Sequence, residues 1–369
     1  MPKQIGSDCS TAIGHVYMCD FNIIMMGIAY LYRKLEGDRV ICTACRRYCT
    51  LRSGQIGFCG VRKNIGGSLH LLVQNRPLAI QIDPIEKKPV LHMFPNYRIY
   101  SIGTSGCDFA CQFCQNYDIS QRREVAGVEM SPKEIVQDAI DNGCGGIAYT
   151  YNEPTIFSEF AKEVGDIAHR HGLINIFVTN GYETPESVPY VSTFLDAATV
   201  DFKGNANPNF YKRIMSVPDV DLIYDTIDRF NASGVHTEIT DLVVPQIGDN
   251  EEDARKMVKR VIDILGEDVP ISFLRFHPDY KLMNLPPTPI GTLVRHYEIA
   301  REEGAKFVYV GNVPGSDLQN TYCPSCGLLL VKRDMMQTLK VNLTSDSRCP
   351  ACGYRTNIIL QKDRMKQFA

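Results

Sequence analysis

The sequence predicts an α/β protein: a partial (β/α)6 TIM-like barrel with a small cysteine-rich module on either side. Short apolar runs alternate with helical patterns from residue 98 onward, and cysteines cluster before and after that region. The length of 369 residues leaves room for one large catalytic domain plus one or two small modules. We expect an N-terminal extension and helix over 1–36, a cysteine-rich module and β-hairpin over 37–96, the barrel over 97–316, and a zinc-ribbon-like module with a basic tail over 317–369.

The barrel prediction depends on strand–helix alternation, which favours a parallel sheet with helices outside it. The predicted strands are Ile99–Thr104, Gly146–Tyr151, Asn175–Thr179, Ala198–Phe202, Glu238–Val244, Ile271–Phe276 and Lys306–Val310. The predicted helices include Pro132–Asn142, Phe157–His171, Leu222–Ser233 and Glu251–Leu265, with Ser131 and Asp249 as capping residues. In such a barrel the active site lies at the carboxyl ends of the strands.

The region before the barrel has weaker patterns. Ile28–Leu35 is amphipathic, which predicts a helix, and two β-rich runs flanking Asn75-Arg76-Pro77 between residues 68 and 82 predict a hairpin. Asp83–Pro89 is interpreted as a linker. Met25 or Met26 is a natural start for the chain, and the sequence leaves open whether residues 1–24 belong to the native protein.

Composition excludes several classes of protein. An apolar fraction of 44% and a charged fraction of 22% are ordinary globular values, which excludes wholesale disorder, coiled coil and collagen. A net charge of −3 argues against a chain that is basic throughout. Asp20 interrupts the most apolar N-terminal stretch, so no membrane span is predicted. Fourteen cysteines without a signal peptide indicate a reduced, metal-rich, cytoplasmic protein.

The central cysteine group consists of Cys107, Cys111 and Cys114, spaced by three and two residues. An iron–sulfur cubane usually takes four cysteine thiolates, one on each iron. Three thiolates in one short loop can hold three irons and leave the fourth free to bind a substrate directly. The loop follows the first predicted barrel strand, where this architecture places its chemistry. The alternative is a zinc site completed by a distant ligand.

This three-cysteine pattern resembles the radical S-adenosylmethionine (SAM) superfamily. The chain is most similar to its pyruvate formate-lyase-activating enzyme-like group, and within it to the radical SAM enzymes of the AmmeMemoRadiSam system. The residues that carry the likeness are Cys42-Thr-Ala-Cys45, Gly57-Phe-Cys59-Gly-Val-Arg62-Lys-Asn64, Asp83-Pro-Ile-Glu-Lys-Lys-Pro89, Cys114-Gln-Asn116, Ala148-Tyr-Thr-Tyr-Asn152-Glu-Pro154, Tyr309-Val-Gly311-Asn-Val-Pro-Gly315 and Thr321-Tyr-Cys323-Pro. The resemblance implies a [4Fe–4S] cluster that cleaves SAM reductively to a 5′-deoxyadenosyl radical, which then abstracts hydrogen from a substrate.

The resemblance also implies a set of SAM-binding residues: Phe113, Gln115, Asn152, Glu153, Asn180, Asp201, Lys203 and His277. For three of them an ordinary structural role remains open. Asp201 could cap the following segment, Lys203 could be solvated, and His277 could be a structural histidine at a strand end. The sequence identifies no general acid or base.

Two further cysteine groups predict accessory metal sites. Cys42, Cys45, Cys49 and Cys59 form a four-thiolate set that either zinc or an auxiliary iron–sulfur cluster would satisfy. Cys323, Cys326, Cys349 and Cys352 form two Cys-x-x-Cys knuckles, each followed by glycine. That pattern favours a zinc ribbon, with a rubredoxin-type iron as the alternative.

The expected partners follow from the resemblance and from charge. The resemblance implies a low-potential electron donor of the flavodoxin or ferredoxin type. Residues 38–66 carry six Lys and Arg against one Asp, and residues 323–369 carry eight against three Asp. These basic modules favour a protein or another acidic partner, while nucleic acid remains open and no membrane is expected. Three functions therefore compete: radical chemistry on a small metabolite, radical modification of a protein or RNA such as glycyl radical activation, and a non-catalytic iron–sulfur or zinc adaptor.

Overall fold

The structure is a computed structural model, and it describes residues 26–121 and 124–360. Its N-terminal region consists of two small antiparallel sheets, in the strand orders β1-β6-β5 and β2-β3-β4. These strands are β1 Gly27–Ile28, β2 Tyr32–Lys34, β3 Val40–Cys42, β4 Thr50–Leu51, β5 Arg62–Ile65 and β6 Ser68–Leu71. The helix predicted over 28–35 is therefore wrong. Its apolar residues Ala29 and Leu31 alternate with exposed ones, which is the period of a strand. The possible extension over 1–24 and the basic tail after residue 360 lie outside the described residues.

The main sheet has eight strands, of which seven are parallel and follow one another in sequence order. They are β8 Arg98–Gly103, β9 Gly146–Tyr149, β10 Ile174–Thr179, β11 Ala197–Lys203, β12 His236–Val243, β13 Pro270–Arg275 and β14 Phe307–Gly311, with β7 Ala79–Pro84 antiparallel beside β8. All seven predicted runs are strands, so the partial barrel is confirmed, with one parallel strand more than a (β/α)6 barrel has.

Helices connect the parallel strands and cover the sheet. They are α1 Tyr117–Ser120, α2 Pro132–Asp141, α3 Ser158–Arg170, α4 Ser187–Ser192, α5 Pro208–Ile214, α6 Asp221–Ala232, α7 Glu251–Leu265 and α8 Ile290–Glu302. Ser131 caps α2 in a reciprocal pair with Glu134, as the sequence predicted. The cap of α7 is Asn250, which accepts from the Asp253 amide, and the prediction of Asp249 is wrong by one residue.

The predicted hairpin around Asn75-Arg76-Pro77 is also wrong. Strand β6 pairs with β5 and β1, whereas β7 pairs with β8 over all six of its residues. The exposed edge of the barrel offers β7 a longer partner than the four-residue β6 does. Residues 83–89 are not a free linker either, because they contain a 3-10 turn in which Glu86 is buried and is followed by buried Lys88.

The C-terminal region is a three-stranded antiparallel sheet in the order β15-β16-β17. Its strands are β15 Thr321–Tyr322, β16 Leu329–Asp334 and β17 Gln337–Val341. It is docked on the barrel through main-chain hydrogen bonds: the Ile359 amide donates to the His92 carbonyl at 2.7 Å, and the Phe94 amide donates to the Ile359 carbonyl at 2.8 Å. The C-terminal region therefore packs against the segment that joins β7 to β8. None of the helices in the described part of the chain has the length and apolarity that crossing a bilayer requires.

Candidate active site

The central cysteine loop begins directly after β8, at the carboxyl edge of the parallel sheet. Asn152, from the loop after β9, fastens its start: the side-chain oxygen accepts from the Thr104 amide at 3.0 Å, and the side-chain nitrogen donates to the Gly106 carbonyl at 2.8 Å. Asn152 thus holds the cysteine loop in place. Its proposed contact with SAM stays a prediction, since its amide already has these partners.

The three loop thiols line the same cavity, but their sulfurs do not form one compact set. Cys107 and Cys111 are buried, and Cys114 is half-buried with its sulfur 3.0 Å from the Ser120 hydroxyl. Burial raises the pKa of all three thiols, so a metal must displace their protons to bind thiolates. Within the described residues, these three sulfurs are not among the groups of ligand atoms that all lie within 4.8 Å of one another. Ligands on separate irons are spaced more widely than ligands on one ion, so the loop fits three corners of a cubane.

The loop opens into a cavity of about 430 Å³ at the carboxyl ends of the parallel strands. The three loop cysteines line it, and the structure brings all eight sequence-predicted SAM residues to the same cavity: Phe113, Gln115, Asn152, Glu153, Asn180, Asp201, Lys203 and His277. The cavity lies where a barrel of parallel strands places its chemistry. Each residue's contact with SAM stays a prediction.

A group of buried carboxyl groups lies beside the loop. The Glu153 carboxylate accepts from the amides of Thr155 and Asn180, at 2.9 and 2.8 Å, and from the Thr179 hydroxyl at 2.9 Å. Burial and the nearby Glu183 carboxyl raise the pKa of Glu153 well above its ordinary value. Burial also raises the pKa of Glu183, to about 7. These acids therefore take up protons readily in the folded protein.

Asn180 connects this carboxyl group to the cysteine loop. Its side-chain nitrogen donates to the Asp108 carboxylate at 2.8 Å, and its side-chain oxygen accepts from the Tyr182 amide at 3.0 Å. The second carboxylate oxygen of Asp108 is buried without a hydrogen-bond partner. Asp108 follows Cys107 directly, so this oxygen marks a polar spot immediately beside the thiol loop.

Asp201 and Lys203 end strand β11 and form an ion pair with each other. The other Asp201 oxygen accepts from the Thr240 hydroxyl at 2.9 Å. Burial lowers the pKa of Lys203, but the Asp201 carboxylate outweighs that effect and raises it overall. Neither side chain is a solvated strand end. A paired carboxylate and ammonium at the cavity wall suit a zwitterionic ligand, which could bind both.

The remaining predicted residues, Phe113, Gln115 and His277, also line the cavity. Phe113 is buried and stacks on Phe210, with ring centroids 5.8 Å apart. Gln115 is exposed, and so is His277, whose imidazole lies 3.3 Å from Asp279. His277 is therefore not a packed structural histidine, and its ring can meet a ligand at the cavity edge.

Sequence reasoning missed the charged wall formed by residues 83–89. The Lys88 ammonium donates to Asp83 at 2.6 Å and lies 4.7 Å from the centre of the Tyr151 ring. Burial lowers the pKa of Lys88 to about 8, against the opposing effect of Asp83. This segment was among the residues that carry the resemblance. The available signal for a charged wall was its run of charged residues of both signs, which ends in a lysine followed by proline. The interpretation of this segment as a linker therefore missed its contribution to the cavity.

The C-terminal module also contributes to the cavity, which the sequence did not indicate. Arg333, Met335 and Met336, from the β16–β17 hairpin, line it together with Lys88 and Tyr309. Arg333 donates to the Leu91 carbonyl at 2.8 Å, which fixes the hairpin against the barrel. The module therefore forms a wall of the cavity on the side of the residue 83–89 segment.

The four C-terminal cysteines form a compact metal-ligand set. All four sulfurs lie within 4.8 Å of one another, and the Cys323–Cys352 and Cys326–Cys349 pairs are each 3.6 Å apart. A tetrahedral zinc–thiolate site with bonds of about 2.3 Å places its sulfurs about 3.8 Å apart, so the set fits one ion. A single iron would fit the same geometry.

The basic side chains of the N-terminal module are partly used within the protein. Arg62 forms a buried ion pair with Glu159, and Arg46 forms an ion pair with the partly exposed Asp225. Arg47 donates to the Asp108 and Ser216 carbonyls. These three cations hold the module against the barrel, which weakens their value as evidence for an acidic partner.

Comparison with known proteins identifies the class. The family model of the radical SAM superfamily matches residues 101–261, which include the cysteine loop and strands β9 to β12. The chain belongs to the radical SAM superfamily. A protein of Methanocaldococcus jannaschii, called uncharacterized protein MJ0808, is 42% identical over 335 residues, which are 90% of this chain and 99% of that protein. Membership in the superfamily implies a [4Fe–4S] cluster and SAM.

Solved structures with a similar fold are more distant. A domain of pyruvate-formate lyase-activating enzyme from Bacteroides vulgatus is 17% identical, covers 46% of this chain and 99% of its own, and has a TM-score of 0.39. Streptococcus suis SuiB bound to S-adenosylmethionine is 16% identical, covers 65% of this chain and 56% of its own, and has a TM-score of 0.47.

Proposed function

We propose that this chain is a radical SAM oxidoreductase that binds SAM in the barrel cavity and abstracts hydrogen from a substrate in the same cavity. The observation that carries the proposal is the convergence of Cys107, Cys111 and Cys114 with polar strand ends on one cavity. The cluster and SAM together supply a 5′-deoxyadenosyl radical when both are bound. The residues of the chain itself bind SAM and the substrate, orient them and shield the reaction from water.

The binding part of this proposal is supported by the charges at the end of β11. SAM carries an amino group and a carboxylate on its methionine end, and Asp201 with Lys203 offers one partner to each. The stacked ring of Phe113 and the exposed side chain of Gln115 border the same space. Asn152 and Asn180 hold the loop and its neighbouring carboxylate in register, so we assign them to positioning the cysteine loop.

For the substrate, we favour a small molecule over glycyl radical activation. The C-terminal hairpin and the segment 83–89 both line the cavity, with Met335, Met336 and Lys88 among the lining residues. A cavity of about 430 Å³ bounded in this way suits a compact ligand better than a broad protein face.

The non-catalytic adaptor has the least support, because an adaptor has no need of a cavity lined by the thiol loop and polar strand ends.

The test is SAM cleavage by anaerobically reconstituted protein reduced with dithionite. We expect 5′-deoxyadenosine from the native chain and none from Cys111→Ala. Cys144→Ala is the matched control, since Cys144 is a buried cysteine away from the loop that does not line the cavity. Cleavage retained by Cys111→Ala would contradict the proposal.

SAM binding is tested separately by equilibrium dialysis. Asp201→Asn and Lys203→Met should each weaken SAM binding by about tenfold or more, since each removes a charged partner worth about 1.5–3 kcal/mol. Lys212→Met, an exposed lysine on α5, should leave it unchanged. Unchanged affinity in both cavity variants would remove these residues from the SAM site.

A further inference from the structure

The second four-cysteine group, in the N-terminal module, forms a site of its own. Cys42, Cys45, Cys49 and Cys59 all line one small enclosed cavity, separate from the active-site cavity. Cys42, Cys45 and Cys59 are buried and Cys49 is half-buried. The Cys42 amide donates to the Cys49 carbonyl at 3.0 Å, which ties two of the ligands together through the backbone. Four thiols facing one cavity are a metal-ligand set.

The spacing of these thiols separates zinc from an iron–sulfur cluster. A single tetrahedral zinc requires its sulfurs to lie about 3.8 Å apart. Over residues 26–121 and 124–360, the only group of three or more Cys, His, Asp or Glu whose ligand atoms all lie within 4.8 Å is the C-terminal one. Any three of the N-terminal thiols therefore include at least one pair whose sulfurs are more than 4.8 Å apart, as the loop thiols Cys107, Cys111 and Cys114 also do. That spacing is too wide for one shared ion and suits thiolates distributed over the separate irons of a cluster.

The site also abuts the central cysteine loop. The Cys45 thiol lies close to the Asp108 carboxylate, and the Cys107 thiol lies 3.8 Å from an oxygen of the same carboxylate. The Gly106 Cα faces the Cys59 carbonyl so closely that a Cβ there would lie 2.2 Å from that oxygen. Arg47 donates to the Asp108 carbonyl from the edge of the same cavity. One residue, Asp108, therefore separates the two thiol groups.

We propose that Cys42, Cys45, Cys49 and Cys59 hold a second iron–sulfur cluster of the [4Fe–4S] type. Its position directly beside the central loop suits electron transfer between the two sites. The remaining lining is a mixture of apolar groups and arginines, Ile156, Phe58, Arg47 and Arg62, which shields a cluster from water and offsets its negative charge. The occupancy of this site does not depend on the proposed function.

The test uses a variant that lacks the central cluster, Cys107→Ala/Cys111→Ala/Cys114→Ala, reconstituted anaerobically with iron and sulfide. We expect about four irons and four sulfides per chain to remain, with a dithionite-reduced electron paramagnetic resonance signal. One zinc per chain, from the C-terminal group, should also be present, and a cooperative urea-unfolding transition reports that the whole chain has folded. Because this variant cannot cleave SAM in any case, the result is independent of the proposed function.

The matched variant adds Cys42→Ser and Cys49→Ser to the same background and should lose the remaining iron. Adding Cys144→Ser instead should leave it. A triple-alanine variant with no iron and two zinc ions per chain would overturn the proposal. If that variant does not fold, the native chain gives the same decision by Mössbauer spectroscopy: about eight irons in two cluster environments support a second cluster, and four irons in one environment contradict it.

Discussion

The two four-cysteine groups of this protein are built in different ways. The C-terminal group is local: in each knuckle the glycine amide donates to the first cysteine carbonyl, Gly327 to Cys323 and Gly353 to Cys349, both at 2.9 Å. Its sulfurs are 3.6 Å apart in two pairs, and Cys326 and Cys352 are exposed.

The N-terminal group depends on the barrel instead. Its thiols line a small cavity together with Ile156 of the barrel, and the module is fastened by the buried pair of Arg62 and Glu159. Cys45 also forms an isolated β-bridge with Glu183. Equal numbers of thiols therefore need not imply the same metal. The compact knuckles suit one ion, whereas thiols spread against the active-site loop suit a cluster.

The largest expected effect is at the C-terminal group. Cys323→Ser/Cys326→Ser should remove one zinc per chain and unfold residues 321–360, because zinc binding supplies on the order of 10 kcal/mol to such a module. Zinc analysis and limited proteolysis measure both effects. The iron content should not change, and parallel loss of iron would show that the two groups are not independent.

A smaller loss is expected from breaking the pair that fastens the N-terminal module. Arg62→Met leaves the Glu159 carboxylate buried without its partner and should lower the free energy of unfolding by about 3–5 kcal/mol. The midpoint of urea unfolding measures this loss. It should be accompanied by loss of iron, not of zinc.

The second variant of this pair is the control. Arg62→Met/Glu159→Gln removes both charges but keeps an oxygen for the amides of Tyr30 and Leu31, which donate to Glu159 at 3.0 and 3.2 Å. It should recover part of the lost stability. A double variant less stable than Arg62→Met would show that the pair is not what fastens the module.

Two glycines, one beside each four-cysteine group, test the difference between the N-terminal and the C-terminal group. Both have a positive φ, but their surroundings differ. Gly106 has φ +86° and faces the Cys59 carbonyl, whereas Gly327 has φ +75° and open space within 4 Å of where a Cβ would lie. Gly106→Ala should cost about 3 kcal/mol and reduce iron content. Gly327→Ala should cost only the backbone strain of about 1–2 kcal/mol. Equal effects in urea unfolding would contradict the close contact of module and loop.

The sequence predicted the barrel well because long apolar runs at regular spacing have few alternative folds. All seven runs are strands, and every predicted SAM residue reaches the cavity. The prediction from sequence was wrong where the structure of a segment depends on which other segment of the chain it contacts. Strand β7 joins β8 and not β6 because of the barrel edge, and Lys88 is buried because Asp83 accepts its charge. The contribution of Met335 and Met336 depends on how the C-terminal module docks, which no local pattern records.

The smallest expected effect is on the pH dependence of stability. It arises from Glu183, at the junction of the N-terminal module and the cysteine loop. Burial raises the pKa of Glu183 from 4.5 to about 7, so the folded protein keeps a proton that the unfolded chain has lost. That contribution to stability is complete below pH 4.5 and is lost as the pH rises through about 7.

Glu183→Gln should therefore reduce the loss of stability between about pH 5 and pH 8 by about 1–3 kcal/mol, measured by urea unfolding at both values. Glu186→Gln, on the exposed surface nearby, is the matched control and should leave the pH dependence unchanged. A Glu183→Gln variant with the native pH dependence would show that this carboxyl does not hold the proton.

The assignment of different metals to the compact and the wide cysteine groups is decided by X-ray absorption of the native chain at the iron and zinc edges, together with metal counts. We expect one zinc per chain with four sulfur neighbours at about 2.3 Å, and about eight irons with the iron–iron scattering of cubane clusters. Two zinc ions and four irons per chain would contradict that assignment.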